Sequence, residues 1–209
     1  MSKPKLMSCS GAISVVFVVT VVELTAAQSS RNLREQARSG TLKVVGSSAF
    51  SDYSPKSIEE LTAESEVVLI GTLSREKSYL SPNEEHVCTD YIISDIRLLA
   101  GTYSSLSPLP QVTKPPVLTM FGGEMMLEGV PARSISYNFK PLANGRYLLF
   151  LKRNGSDAGR YSPYHGGVFA LNGEQVIPML NQSEDIFVGV RHTPASVIIS
   201  RVEKAAMSR

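Results

Sequence analysis

Residues 145–152, Gly-Arg-Tyr-Leu-Leu-Phe-Leu-Lys, form the strongest strand pattern in this chain. A second run, Glu-Val-Val-Leu-Ile-Gly-Thr-Leu at 66–73, is apolar, rich in β-branched residues and of strand length. Because this second run does not alternate cleanly between apolar and polar residues, we expect it to be covered on both faces. Together the two runs predict a β-rich domain with a substantial core.

Further strand patterns surround these two runs, at residues 86–99, 117–121, 161–171 and 175–177. Asn172-Gly173 is typical of a hairpin turn between the last two. Four prolines lie between residues 101 and 116. They exclude a central strand there, because proline cannot donate to a strand ladder.

The carboxyl-terminal segment predicts a helix over residues 193–207. Thr193 is a residue type that caps helices. The apolar stripe of this helix would consist of Val197, Ile198, Val202 and Ala205. At the start of the core, Ser57 followed by Glu60 predicts a short capped helical turn.

Five or six strands, hairpin turns and one sizeable helix predict a mainly β fold. We expect a small antiparallel barrel, closed or partly open and of the OB type, with one carboxyl-terminal helix. Closure would leave no exposed strand edge to pair with other chains. A two-sheet β-sandwich is the alternative. The predicted barrel domain spans residues 56–190, and the helix lies within 191–209.

The amino-terminal residues 1–27 predict an export signal. Lys3 and Lys5 precede an apolar run at 11–22, and the small-residue sequence Leu-Thr-Ala-Ala closes the segment at 24–27. A run of twelve residues is shorter than the roughly 20 that a membrane span needs. We expect cleavage after Ala27, a secreted or periplasmic (cell envelope) location, and no membrane span afterwards. Retention as a short anchor is the alternative.

The composition of the predicted mature chain adds expectations about its amino-terminal segment, its partners and its cysteine. Residues 28–55, rich in Ser, Arg, Gln and Gly, predict a flexible tether with a short strand at 41–45. Subtracting residues 1–27 leaves 19 basic and 18 acidic side chains, so nothing favours nucleic acid as a partner. Cys88 is then the only cysteine. It cannot form an internal disulfide, and we expect it to be buried and inert.

The order of these elements resembles a group of exported bacterial proteins of unassigned function. More remotely, it is similar to the netrin-like barrels of the tissue inhibitors of metalloproteinases. The resemblance covers residues 58–171 and rests on the runs at 65–71, 89–101 and 145–151. It implies a barrel fold but not the inhibitory activity. That activity needs an amino-terminal cysteine and several disulfides, whereas the predicted mature chain begins at Gln28.

Residues 161–167, Tyr-Ser-Pro-Tyr-His-Gly-Gly, are the strongest candidate for a partner surface. Tyr161, Tyr164 and His165 combine apolar bodies with polar tips, which suits recognition. The alternative is a turn that contains packed tyrosines.

Glycine pairs add to this candidate surface. Gly166 and Gly167 would let the backbone approach a ligand closely. Gly122 and Gly123 present a choice between a strand bulge and a second part of the site. We expect the loops around 101–116 and 161–167 to form the contact surface.

Catalytic motifs are missing from the sequence. It contains no Gly-x-Ser-x-Gly elbow, no His-Glu-x-x-His motif, no phosphate-binding loop and no dinucleotide fingerprint. We therefore predict a non-enzymatic binding module, without metal or cofactor, for a protein or envelope component. The alternative is a hydrolase or metal-dependent enzyme that uses His165 with Asp90 or Cys88. His86 lies two residues before Cys88, but a zinc site needs about four ligands.

Overall fold

The computed structural model describes residues 33–38, 45–47, 55–102, 115–136, 142–154, 159–180 and 189–208. The helices, in chain order, are α1 (Leu33–Arg38), α2 (Ile58–Glu64) and α3 (Ala195–Met207). The strands are β1 (Val45–Ser47), β2 (Val67–Leu80), β3 (Val87–Ala100), β4 (Val117–Phe121), β5 (Gly123–Leu127), β6 (Val130–Ser136), β7 (Gly145–Arg153), β8 (Arg160–Asn172) and β9 (Gln175–Pro178).

Five strands close into a hydrogen-bonded ring in the order β2, β3, β4, β8, β7. Neighbouring strands in the ring are antiparallel, except that β4 and β8 run parallel where Val117 faces Arg160 and Leu118 faces Tyr161. Strand β9 extends the sheet beyond β8, and β1, β6 and β5 form a separate small sheet. The predicted mainly β fold, an antiparallel closed sheet with one carboxyl-terminal helix, is confirmed. A two-sheet sandwich does not describe it, because the large sheet closes on itself.

Residues 67–73 of β2 and 147–151 of β7 are covered on both faces, as the apolar run at 66–73 predicted. One face of β2, with Val67 and Leu69, packs in the interior of the ring, and the opposite face, with Val68 and Ile70, packs under the helices. Full burial of one such side chain stabilises the fold by roughly 1.5–3 kcal/mol. Burial on both faces of these strands is therefore a main source of stability for the fold.

Helices α2 and α3 cover the outside of the ring. Ser57 caps α2 by accepting a hydrogen bond from the Glu60 amide at 3.1 Å, which confirms the predicted cap. The predicted cap of the last helix is wrong: α3 begins after Pro194, and the Thr193 hydroxyl donates instead to the Gly189 carbonyl. Val197, predicted on the apolar stripe, is 46% exposed, while Ala195, Ile198 and Val202 are buried.

Segment 28–55 differs from the predicted tether where the structure describes it. Helix α1 buries Leu33 and Ala37, and β1 pairs in parallel with β6, so these residues belong to the folded unit. The rest of this segment lies outside the described residues, as do the predicted export signal 1–27 and most of the predicted contact loop 101–116. Among the helices that the structure describes, none has the length and apolarity to cross a membrane.

Candidate functional site

A wide bulge interrupts β8 in the middle of the segment predicted as a recognition loop. Leu149 of β7 faces Val168, and Leu151 faces Pro163. One β7 residue therefore lies opposite four β8 residues, 164–167. His165 occupies the left-handed region with φ +39°, which is uncommon for a residue other than glycine. The predicted loop is thus a distorted part of a strand that pairs with β7 before and after the bulge.

The glycines of the bulge are required by the core rather than by a ligand. A Cβ atom on Gly167 would lie 2.4 Å from the Cβ of Phe150, and one on Gly166 would lie 2.9 Å from the Cδ1 of Leu180. The approach at Gly167 is too close for any side chain, whereas at Gly166 the Leu180 side chain could shift and the φ of +76° is what favours glycine. Our prediction that these glycines admit a ligand is replaced by a packing role, because β7 and the segment after β9 already fill that space.

Tyr164 and His165 form an organised cluster with Glu64 and Lys152, which we call the Tyr164 cluster. The Tyr164 hydroxyl donates to Glu64 Oε2 at 2.6 Å, and Lys152 Nζ lies 3.7 Å from the centre of the Tyr164 ring. The His165 ring meets the same ring edge-on at 4.2 Å between centroids. Burial and the hydrogen bond to Glu64 raise the pKa of Tyr164 to about 12, so its hydroxyl stays protonated and donates at neutral pH.

Tyr161 does not belong to this surface, contrary to the prediction. Its side chain is fully buried in the interior of the ring, with Leu118 and Leu151. The residue lies at the ring closure, opposite Leu118 of β4, where its face of β8 points inward. Only two of the three predicted recognition side chains, Tyr164 and His165, are therefore partly exposed.

Gly122 and Gly123 turn the chain from β4 of the ring into β5 of the small sheet. The Gly122 amide donates to the Val87 carbonyl at 2.7 Å, and its own carbonyl accepts from Thr89 Oγ1 at 2.7 Å. Gly123 has φ +135°, and a Cβ there would collide with Thr89 Oγ1. Gly122 and Gly123 thus form a turn that the fold itself requires, which we call the corner.

This corner does not join the Tyr164 cluster. Phe121, which precedes the corner, faces Cys88, and Cys88 faces Tyr79 near the end of β2. On the other side, Leu151 beside the bulge faces Val67 at the start of β2. The two predicted parts of the site therefore lie near opposite ends of one long strand.

A buried charge network that sequence reasoning missed lies on the outer face of the ring. Asp90 has no exposed surface, and its carboxylate accepts from Arg160 Nη1 at 2.9 and 2.8 Å. It also accepts from Thr119 Oγ1 at 2.9 Å and from the Tyr79 hydroxyl at 3.1 Å. The four side chains come from four strands, so no sequence spacing could have revealed them together. A buried carboxylate with this many donors is a satisfied structural charge.

Cys88 is buried beside this network as a free thiol. Burial raises the pKa of its thiol, and the nearby Asp90 carboxylate adds to the effect. A thiol held protonated is a poor nucleophile and a poor metal ligand. The expectation of a buried, inert cysteine is consistent with this environment.

The hydrolase and metal alternatives need His165 near Asp90 or Cys88. The donors to Asp90 are Arg160, Thr119 and Tyr79, and His165 is not among them. Within the described ranges, no three His, Cys, Asp or Glu side chains lie close enough to hold a metal ion. His86, the other candidate ligand, packs edge-on against Phe121.

Comparisons with known proteins do not assign this chain to a family. No protein-family model matches the chain. No curated protein matches it significantly either. The resemblance to netrin-like barrels therefore remains a prediction.

Proposed function

We infer that this chain is an exported, non-enzymatic binding domain that contacts a protein or envelope component through the Tyr164 cluster. One observation carries the inference: the bulge in β8 holds Tyr164 and His165 partly exposed on a closed sheet, each fixed by specific neighbours. Export is inferred from the basic, apolar and small-residue pattern of residues 1–27.

Fixed aromatic side chains suit recognition because little freedom remains to be lost on binding. Immobilising a flexible side chain at an interface costs roughly 0.5–1.5 kcal/mol. The Tyr164 ring is already held by Glu64 at its hydroxyl and by Lys152 over its face. A partner would meet a rigid amphipathic ring beside a cationic amine.

The backbone conformation of His165 supports the same proposed binding site. A non-glycine residue in the left-handed region costs of order 1–3 kcal/mol, and such strain clusters at binding sites. Glycine would adopt φ +39° more readily, although histidine is among the residue types enriched in this region. The strained backbone therefore marks the bulge as a candidate binding site.

The alternative of a hydrolase finds no support in this geometry. The Asp90 carboxylate is engaged by Arg160, and the Cys88 thiol is held protonated. These contacts favour a structural role for both groups.

The proposal is tested with Tyr164→Ala combined with His165→Asn. Asparagine tolerates the left-handed backbone, so the bulge is kept while the imidazole is lost. Biotinylated mature protein is incubated with envelope extract of the native host, and bound proteins are quantified by mass spectrometry. The matched control is His192→Ala, which removes an exposed histidine near α3.

We expect at least one abundant partner to fall about tenfold with the double variant, the change that roughly 1.4 kcal/mol of lost binding produces. The same partner should be retained by His192→Ala. Equal capture by wild type, double variant and control would remove the Tyr164 cluster from the proposed function.

A further inference from the structure

Helix α1 is seated on an apolar floor at the end of the ring opposite the Tyr164 cluster. Leu33 and Ala37, one helical turn apart, are buried against Val87, Leu127 and Ala132. Val87 begins β3, while Leu127 and Ala132 belong to the β5–β6 hairpin. The floor therefore lies between two hairpins of different sheets.

Two glutamates at the hairpin tips bind the arginines of α1. Arg34 Nε lies 2.9 Å from Glu84 Oε1 in the β2–β3 turn. Arg38 meets Glu128 in the β5–β6 turn in a two-pronged pair, with Nε 2.9 Å from Oε2 and Nη2 2.9 Å from Oε1. The Leu33 amide also donates to the Glu84 carbonyl at 2.7 Å. Ion pairs and apolar packing therefore hold the same short helix, α1.

Both glutamates adopt a backbone conformation that their residue type does not favour. Glu84 has φ +56° and Glu128 has φ +49°. In the two-residue turn formed by Glu128 and Gly129, both φ angles are positive, which normally selects asparagine, aspartate or glycine. Glutamate therefore does not stabilise the turn conformation at either tip. Its carboxylate instead forms an ion pair with an arginine of α1.

The contacts that hold α1 are weak enough for another segment to replace it. Six residues are too few for an independently stable helix, since isolated helices shorter than about 12–15 residues are marginal in water. The ion pairs are partly exposed, and such pairs contribute little each and are screened by salt.

We call the apolar floor together with Glu84 and Glu128 the tip cleft. We propose that the tip cleft is a recognition site for a short basic amphipathic helix. The fitting segment has apolar residues four apart and an arginine after each of them. Helix α1 occupies the site within its own chain, and a segment of the same chemistry from a partner competes for it. The proposal goes beyond the Tyr164 cluster and does not depend on it.

Release of α1 is measured by thiol labelling of Ala37→Cys in the mature chain. Ala37 is buried, and the parent protein, with buried Cys88 alone, gives the background rate. Arg34→Glu combined with Arg38→Glu places like charges against Glu84 and Glu128. We expect labelling of the reporter to accelerate about tenfold. An unchanged rate would overturn the proposal, because the glutamates would then not hold the helix.

Recognition in trans is measured with a fluorescent peptide of residues 31–40, Arg-Asn-Leu-Arg-Glu-Gln-Ala-Arg-Ser-Gly. We expect saturable binding to the chain that carries Arg34→Glu and Arg38→Glu. Binding to wild type should be at least fivefold weaker, because its own α1 competes. A peptide in which both arginines are glutamate should not bind.

The control for folding is Glu128→Asn, added to the released variant. Asparagine suits the left-handed turn, so the hairpin is kept while the carboxylate is lost. We expect it to reduce peptide binding without lowering the melting temperature. Release of α1 without saturable binding of the peptide, or binding that ignores Glu128→Asn, would overturn the proposal. Neither outcome bears on partner capture by the Tyr164 cluster.

Discussion

Arg160 and Asp90 form an ion pair that spans the closure of the ring. The two residues are 70 positions apart in the sequence, and the guanidinium of Arg160 on β8 reaches past β4 to both carboxylate oxygens of Asp90 on β3. Thr119 of β4, the strand between them, donates to the same carboxylate. Because β4 and β8 share only two paired positions, this network adds side-chain bonds where the backbone ladder is shortest.

Removing Arg160 should therefore destabilise the protein strongly. Arg160→Met leaves a fully buried carboxylate without its counter-ion, and breaking a buried pair in this way costs about 3–5 kcal/mol. Urea denaturation followed by circular dichroism gives the free energy of unfolding. Arg146→Met, which changes an exposed arginine of β7, should lie within about 0.5 kcal/mol of wild type. A loss no larger than that of the control would show that Asp90 is not stabilised by this pair.

Gly167→Ala should destabilise the bulge in β8. The added Cβ would lie 2.4 Å from the Phe150 Cβ and 2.9 Å from the Tyr164 carbonyl oxygen, so backbone must shift in a packed core. Such overpacking costs typically 1–3 kcal/mol. Gly145→Ala is the matched control, since its Cβ would meet only the Tyr147 ring at 3.7 Å. Equal unfolding midpoints for the two variants would contradict the close approach of β8 to β7.

The pairing of α2 with α3 should make stability depend on pH in the acid range. A hydrogen bond from Arg201, chiefly, lowers the pKa of Glu59 from 4.5 to about 2. Because the pKa is depressed in the folded state, the stabilisation is complete above pH 4.5 and is lost as the pH falls towards 2. The pair is partly exposed, so the effect should not exceed about 1 kcal/mol.

Glu59→Gln measures this effect directly. Wild type should be the more stable protein at pH 6 in urea, and the difference should shrink as the pH falls below 4.5. A difference between the two proteins that is constant from pH 6 to pH 2.5 would rule out linkage through Glu59.

Export should remove the first 27 residues. We expect mass spectrometry of the protein from the native host to give an amino terminus at Gln28, because Leu-Thr-Ala-Ala at 24–27 ends in small residues. The predicted cut lies five residues before α1, so the mature terminus would begin close to the tip cleft. An intact Met1 on protein recovered from the cytosol would refute both export and this arrangement.

Local patterns predicted the strands of the large sheet and helices α2 and α3, but not α1 or the β5–β6 hairpin. Residues 145–152 became most of β7, residues 66–73 contain the first half of β2, and Ser57 with Glu60 marked the start of α2. These predictions succeeded because side-chain alternation, β-branched content and capping are properties of a few consecutive residues. The candidate site was predicted only in part, since Tyr164 and His165 meet in one cluster while Tyr161 is buried.

The contrast between Tyr161 and Tyr164 shows what the sequence alone could not decide. The two tyrosines lie three residues apart on one strand, so side-chain alternation places them on opposite faces. Which of the two faces lines the interior of the ring depends on how β8 packs against β4 and β7. The Asp90–Arg160 pair and the seating of α1 between Glu84 and Glu128 have the same origin. The sequence by itself determined the strands of the large sheet, helices α2 and α3 and the export pattern, because those follow from neighbouring residues. Ring closure, burial of charge and the tip cleft were decided by tertiary structure, because they depend on which distant strands lie side by side.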